Sequence, residues 1–239
     1  MNQAISPGYF GKTVCADSRR GEFDWRNQLV LDSGKKPDFI FIGDSITQLW
    51  ELPVCFESTG LRLVNRGISG DEMQYISKRF SADVLQLQPR CCVLLGGIND
   101  SWNLDYNPPL QRMGESLESL VARVTSYFDE IISLSEKTNV KLAICSILPV
   151  EKVYQGEDGK RLKYIHRVNQ YLQRRCQEKG LLYVDYYTAM IDKDSVSEVS
   201  DGALMTPGLT HEGLHPNSKG YAIMKEILCQ KLAEIGLQL

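Results

Sequence analysis

Short apolar runs, most of them closed by glycine or proline, alternate along this chain with segments of helical periodicity, and that alternation limits the fold more than any other feature. The runs are Asp38 to Gly43 (DFIFIG), Leu61 to Val64 leading into Asn65-Arg66-Gly67, Cys91 to Leu95 ending in Gly96-Gly97, Val140 to Leu148 ending at Pro149, and Leu181 to Tyr187. Runs this short and this continuous, rich in Val and Ile, predict strands buried on both faces. Apolar residues recur at three- and four-residue spacing over Leu117 to Leu134 and Tyr164 to Cys176, which predicts helices. Glu72 to Leu87 is a further helical stretch, and Pro216 to Ile235 a last one, with Pro216 in its first turn. Strands alternating with helices predict an α/β fold, a parallel sheet wound by right-handed crossovers and covered on both faces. No repeat or linker interrupts the pattern, so residues 1–239 are expected to form a single domain, with a core over about 37–236 and an N-terminal extension over 1–36.

Composition closes off other classes. A net charge of −3 without a basic stripe argues against a nucleic-acid surface. No apolar stretch approaches the roughly 20 residues of a membrane-spanning helix. Seven cysteines, an odd number, show no metal or disulfide spacing, and Met1 to Phe10 carries no signal-peptide pattern. These features predict a reduced, cytoplasmic protein; a secreted form with its signal removed would read the same. Periodicity leaves open whether the helices bury their apolar faces internally or against a second copy in a homodimer.

In open parallel sheets, ligands sit beyond the carboxyl ends of the strands, so functional residues should follow strands directly. The first strand ends in Gly43-Asp44-Ser45-Ile46-Thr47. A serine at a strand-to-helix junction can expose its hydroxyl beside the N–H groups of a helix N-terminus, although Ser and Asp are also common N-caps. Thr47 stands where the Gly-x-Ser-x-Gly elbow of α/β-hydrolases has its second glycine, so this is a different arrangement. A nucleophilic serine needs a base. His166 lies in an amphipathic stretch, whereas His211 and His215 flank Glu212-Gly213-Leu214 just before the last helix. A carboxylate three residues before a histidine can curl back to Nδ1 and fix the tautomer that lets Nε2 take the serine proton, or the stretch can simply cap the helix. Donors for a developing oxyanion are available after the second strand, in Gly67-Ile68-Ser69-Gly70-Asp71, and after the third, where Asn99 of Gly96-Gly97-Ile98-Asn99-Asp100 offers a side-chain amide. Each turn alone is ordinary. Three successive strand ends that deliver a nucleophile, a backbone donor and an amide are not.

At this point the chain resembles the SGNH (GDSL-like) hydrolases, named for Ser, Gly, Asn and His in four separated blocks. Gly43 to Thr47 resembles the first block, with Ile46 in place of leucine; Asn65 to Asp71 resembles the second, Gly97 to Asp100 the third, and Glu212 to Asn217 the fourth. The match in order extends over roughly residues 37 to 236. It implies a three-layer αβα sandwich with a flavodoxin-like central parallel sheet of about five strands. It also implies Ser45 as nucleophile, His215 as base, and an oxyanion hole made of the Ser45 N–H, the Gly70 N–H and the Asn99 amide. Asp44 is expected to bond backbone around the nucleophile's turn, and no metal or cofactor is required.

One departure is visible: the family has Asp three residues before the histidine, and this chain has Glu212. Glutamate can still orient the ring; Asp201 and a backbone carbonyl are the alternatives. The resemblance implies a serine esterase on short acyl groups, an O-acetylesterase acting on a carbohydrate or other small acetylated alcohol. A lysophospholipase or thioesterase on longer chains is the enzymatic alternative, and a catalytically silent binding module the alternative from another class. Trp50 and Trp102, and the loops Gln155 to Lys160 and Asp192 to Thr210, are candidates to shape the pocket.

Overall fold

A computed structural model describes residues 3–107, 109, 112–152, 159–195 and 202–239. Five strands form one parallel sheet flanked by helices: β1 (Phe39–Gly43), β2 (Leu63–Gly67), β3 (Cys91–Leu95), β6 (Lys141–Cys145) and β7 (Leu182–Val184). Their order is β2-β1-β3-β6-β7, which, counting these five strands alone, is the flavodoxin-like order. The register is fixed where β1 pairs with β2 (Ile42 opposite Arg66, Gly43 opposite Gly67) and with β3 (Gly43 opposite Leu95). β4 (Tyr106–Asn107) and β5 (Arg112–Met113) form a separate antiparallel ribbon. The helices are α1 (Arg20–Asp32), α2 (Ser45–Gln48), α3 (Leu52–Cys55), α4 (Met73–Asp83), α5 (Leu117–Thr138), α6 (Lys160–Lys179), α7 (Tyr186–Met190) and α8 (Ser218–Glu234).

By contact the chain divides into two compact units. The first comprises Met1–Gly96, Tyr127–Ala143 and Leu239. Its core is built on β1 and β3, every residue of which is buried, as the continuous apolar runs predict. Phe39, Phe41 and Phe80 fill it, and Trp50 packs edge-on to Phe41 with ring centroids 5.6 Å apart. The second unit comprises Gly97–Ser126 and Ile144–Gln238. There α6 and α8 both pack on β7, burying Ile165, Val168, Leu172, Met224 and Leu228.

Several boundaries differ from the sequence expectation. β2 starts at Leu63 and runs through Asn65-Arg66-Gly67, so this motif lies on the strand rather than after it. Tyr186 and Tyr187 open α7 instead of ending a strand, because Asp185 caps that helix by accepting from the Thr188 N–H at 3.0 Å. Pro216 precedes α8 rather than sitting in its first turn; the cap is Asn217, whose Oδ1 accepts from Lys219 and Gly220 N–H. The stretch expected as an N-terminal extension contains α1, whose Phe23 is completely buried. Among the described residues no helix is long and apolar enough to cross a membrane, and the seven cysteines are all thiols.

Candidate active site

In the first unit the nucleophile candidate sits where β1 becomes α2. Asp44 is extended, and its Oδ1 accepts from the Ile46 N–H at 2.9 Å, which makes Asp44, not Ser45, the N-cap. Ser45 is therefore the first helical residue, and the N–H groups of such a first turn point outward from the helix end. It is 6% exposed. Asp44 is buried, and its Oδ2 has no hydrogen-bond partner among the described residues. Burial, with the charge of Asp71 adding to it, pushes this carboxyl up to about 7.

The turn is tight by construction. A Cβ on Gly43 would lie 1.9 Å from the Leu95 carbonyl oxygen, so no larger residue fits at the end of β1. The Gly70 loop is tied to it from several points. Asn65 Nδ2 donates to the Thr47 carbonyl at 2.7 Å, the Ser69 N–H donates to Gln48 Oε1 at 2.7 Å, and the Ile68 N–H donates to the Gly43 carbonyl at 3.0 Å. Gly70 itself has φ +79°, a left-handed conformation that favours glycine.

The second unit holds Asn99, Glu212 and His215. Asn99 opens a 3₁₀ segment (Asn99–Leu104), and the preceding turn is pinned by the Tyr164 hydroxyl, which donates to the Gly97 carbonyl at 2.7 Å. Glu212 Oε1 accepts from the His215 backbone N–H at 3.0 Å and is also hydrogen-bonded to His215 Nδ1. Burial raises the Glu212 carboxyl, but the two hydrogen bonds from His215 and the nearby imidazoles outweigh it, and the group lies below the usual glutamate range. A carboxylate on Nδ1 selects the tautomer in which Nε2 is the basic nitrogen.

The loop carrying this pair is braced by Glu151, which no pattern in the sequence singles out. Glu151 Oε1 accepts from the N–H groups of Leu209 and Thr210 at 2.9 and 3.0 Å, while its own N–H donates to the Gly213 carbonyl. Thr210 Oγ1 accepts from Gly213 N–H, and the His211 N–H donates to the His215 carbonyl. Asp201, the alternative acid, lies outside the described residues, as do most of the loop Gln155 to Lys160 and part of Asp192 to Thr210.

Within the units, then, the structure brings the Ser45 turn beside the Gly70 loop, and Glu212 onto His215. Of the two candidate pocket tryptophans, Trp50 is 3% exposed in the aromatic cluster with Phe41 and Phe56. Trp102, half-buried, lies under the Arg161 guanidinium, 3.8 Å from the ring centroid. Among the described residues no cluster of three His, Cys, Asp or Glu could hold a metal ion.

Comparison with known proteins gives the family and agrees with the α/β fold. Residues 41–223 match the model of the GDSL-like Lipase/Acylhydrolase family, and the chain belongs to that family. It is 25% identical over 233 residues to an acetylxylan esterase of Geobacillus stearothermophilus, covering 88% of this chain and 98% of that one. It is also 25% identical over 232 residues to the platelet-activating factor acetylhydrolase IB subunit alpha2 of Homo sapiens, covering 94% of this chain and 88% of that one. The crystal structure of a GDSL-like lipase from Bacteroides thetaiotaomicron shares the fold, with a TM-score of 0.70 at 23% identity over 90% of this chain and 97% of that one. The chain is a carboxylic ester hydrolase of the GDSL type.

Proposed function

We propose that the protein removes short acyl groups, acetyl above all, from a carbohydrate or other small alcohol through an acyl-enzyme on Ser45. The observation that carries the mechanism is the double hydrogen bond from His215 to Glu212 Oε1, which orients the imidazole as a base. His215 Nε2 takes the Ser45 proton as Oγ attacks the acyl carbon. The Ser45 N–H, the Gly70 N–H and the Asn99 amide hold the charge on the carbonyl oxygen. The bond to the alcohol then breaks, and the alcohol leaves with the proton from His215. A water, deprotonated by His215, attacks the acyl carbon in turn, releasing the acid and restoring Ser45. Asp44 supports the turn as its cap and takes no chemical part.

Acetyl is favoured because both relatives carry acetyl-removing activity in their names, an acetylxylan esterase and an acetylhydrolase, and each match spans nearly the whole of both chains. The test is hydrolysis of p-nitrophenyl esters from acetate to palmitate beside Ser45→Ala, followed by acetylated xylo-oligosaccharides. Activity that peaks at acetate and vanishes in the variant supports the reading. A peak at long chains keeps the mechanism and moves the substrate to lipids or thioesters.

A further inference from the structure

Beneath the Ser45 turn lies a cluster of buried charges that the mechanism does not use. Arg79 on α4 is completely buried, and so are Asp71 and Asp83. Its Nε donates to Asp71 Oδ2 at 2.8 Å, and Nη1 donates to Asp83 Oδ2 at 2.9 Å. Two further bonds go to backbone. Nη1 donates to the Arg66 carbonyl at 2.9 Å, and Nη2 to the Gly43 carbonyl at 3.0 Å. Gly43 is the last residue of β1, two before Ser45; Arg66 is near the end of β2, and Asp71 directly follows Gly70.

A single planar guanidinium thus reaches the end of the nucleophile's strand, the end of the neighbouring strand, and the residue after the oxyanion glycine. Its donors are fixed in one plane, so the three attachment points are held at set distances. Lysine, a point charge on a flexible stem, cannot reach all of them at once. The remaining members of the cluster lie further from the turn: Arg20 forks onto Asp83 at 2.7 and 2.9 Å, and Asn27 Nδ2 donates to Asp83 Oδ1 at 2.9 Å. Neither makes a bond to Gly43 or Asp71 among those described.

We infer that Arg79 is a positioning residue, which fixes the Ser45 turn against the Gly70 loop and so sets the spacing between the nucleophile and an oxyanion donor. This rests on the roles proposed above for Ser45 and Gly70. Buried ion pairs contribute little net stability compared with apolar packing, so a role in geometry gives this one a reason to be there. A displacement of about 1 Å at reacting groups can lower a rate by roughly 100-fold without touching the substrate.

The experiment compares Arg79→Lys with Arg20→Lys, which perturbs the same cluster away from the turn. Thermal midpoints, kcat and KM on p-nitrophenyl acetate, and affinity for a short alkyl boronic acid, which forms a tetrahedral serine adduct, are measured for each. Arg79→Lys should lower kcat by about 10- to 100-fold with KM nearly unchanged, and weaken the boronic acid in parallel. Arg20→Lys should lose a similar amount of thermal stability and keep its kcat. Equal kcat losses in the two variants at equal stability loss, or an unchanged kcat in Arg79→Lys, would overturn the inference. If Arg79→Lys does not fold, Asp71→Asn, which removes the charged acceptor of the Nε bond and keeps the Arg79 bonds to Gly43 and Arg66, carries the test: its kcat and boronic-acid affinity must both fall. Ser45→Ala in the same assays separates the two ideas, because activity surviving in that variant defeats the Ser45 reading, whereas activity lost there but kept in Arg79→Lys defeats only this one.

Discussion

Glu212 Oε1 accepts the backbone N–H of His215 and is hydrogen-bonded to the Nδ1 of the same residue, so one carboxylate oxygen fixes both the loop and the ring of the proposed base. The pair sits three residues apart in sequence, and that spacing closes the ring of contacts without help from another element. Removing the carboxylate should therefore damage catalysis more than folding. Glu212→Ala is expected to lower kcat by about tenfold or more while the thermal midpoint moves by only a few degrees, Glu212 being half exposed. Wild-type turnover in Glu212→Ala would remove it from the catalytic group.

Glu151 acts on the same loop from outside it. Replacing it with alanine leaves the Leu209 and Thr210 N–H groups without their acceptor, a loss of about 1–3 kcal/mol in a partly buried setting. Glu151→Gln keeps an acceptor oxygen and should retain most of that stability. Urea denaturation of the two variants decides it: equal losses would mean that the hydrogen bonds to the loop are not what Glu151 contributes.

How much of this is legible in the sequence depends on what each residue touches. β1 and β3 could be read because both faces are buried and the runs are unbroken. The sequence pattern ends β2 early because Asn65 and Arg66 look like loop residues; on the strand they serve their own polar contacts, Asn65 to the Thr47 carbonyl and Arg66 to Asn27. Helix α1 escapes the sequence pattern for a related reason. Its buried positions are Arg20, Phe23 and Asn27, so its inner face carries no apolar stripe. At the site, Asp44 and Glu212 are legible because they act on residues two or three positions away. Glu151 and Arg79 are not, because the backbone groups they hold, Leu209 and Thr210 for Glu151 and Gly43 for Arg79, are distant in sequence and a lone charged residue has no pattern around it.

The raised carboxyl of Asp44 makes a prediction about pH. An unfolded aspartate titrates near 3.8, and the buried one is pushed up to about 7, so between these values the folded chain holds a proton that the unfolded chain has released. The stabilisation is fully present below 3.8 and is lost as pH rises through about 7, amounting to at most roughly 4 kcal/mol. Asp44→Asn does not titrate, so its stability relative to wild type should improve between about pH 4 and about pH 8. Parallel urea midpoints for the two proteins across that range would refute the assignment.

Gly70 combines a positive φ with a neighbour that leaves no room. A Cβ there would lie 2.7 Å from Cys15 Sγ, and the backbone at φ +79° strains any L residue by about 1–2 kcal/mol. Gly70→Ala should lose stability and lower kcat by about tenfold or more, and adding Cys15→Ala should recover part of the stability by removing the sulfur. If the double variant is no more stable than Gly70→Ala, the contact with Cys15 is not the cause.

The proposed mechanism stands on Ser45 as nucleophile and His215 as its base. Labelling with a fluorophosphonate, read by intact mass and peptide mapping, addresses it most directly. One adduct is expected, on Ser45, absent from Ser45→Ala and formed far more slowly in His215→Ala. An adduct on another residue, or undiminished labelling without His215, would contradict it.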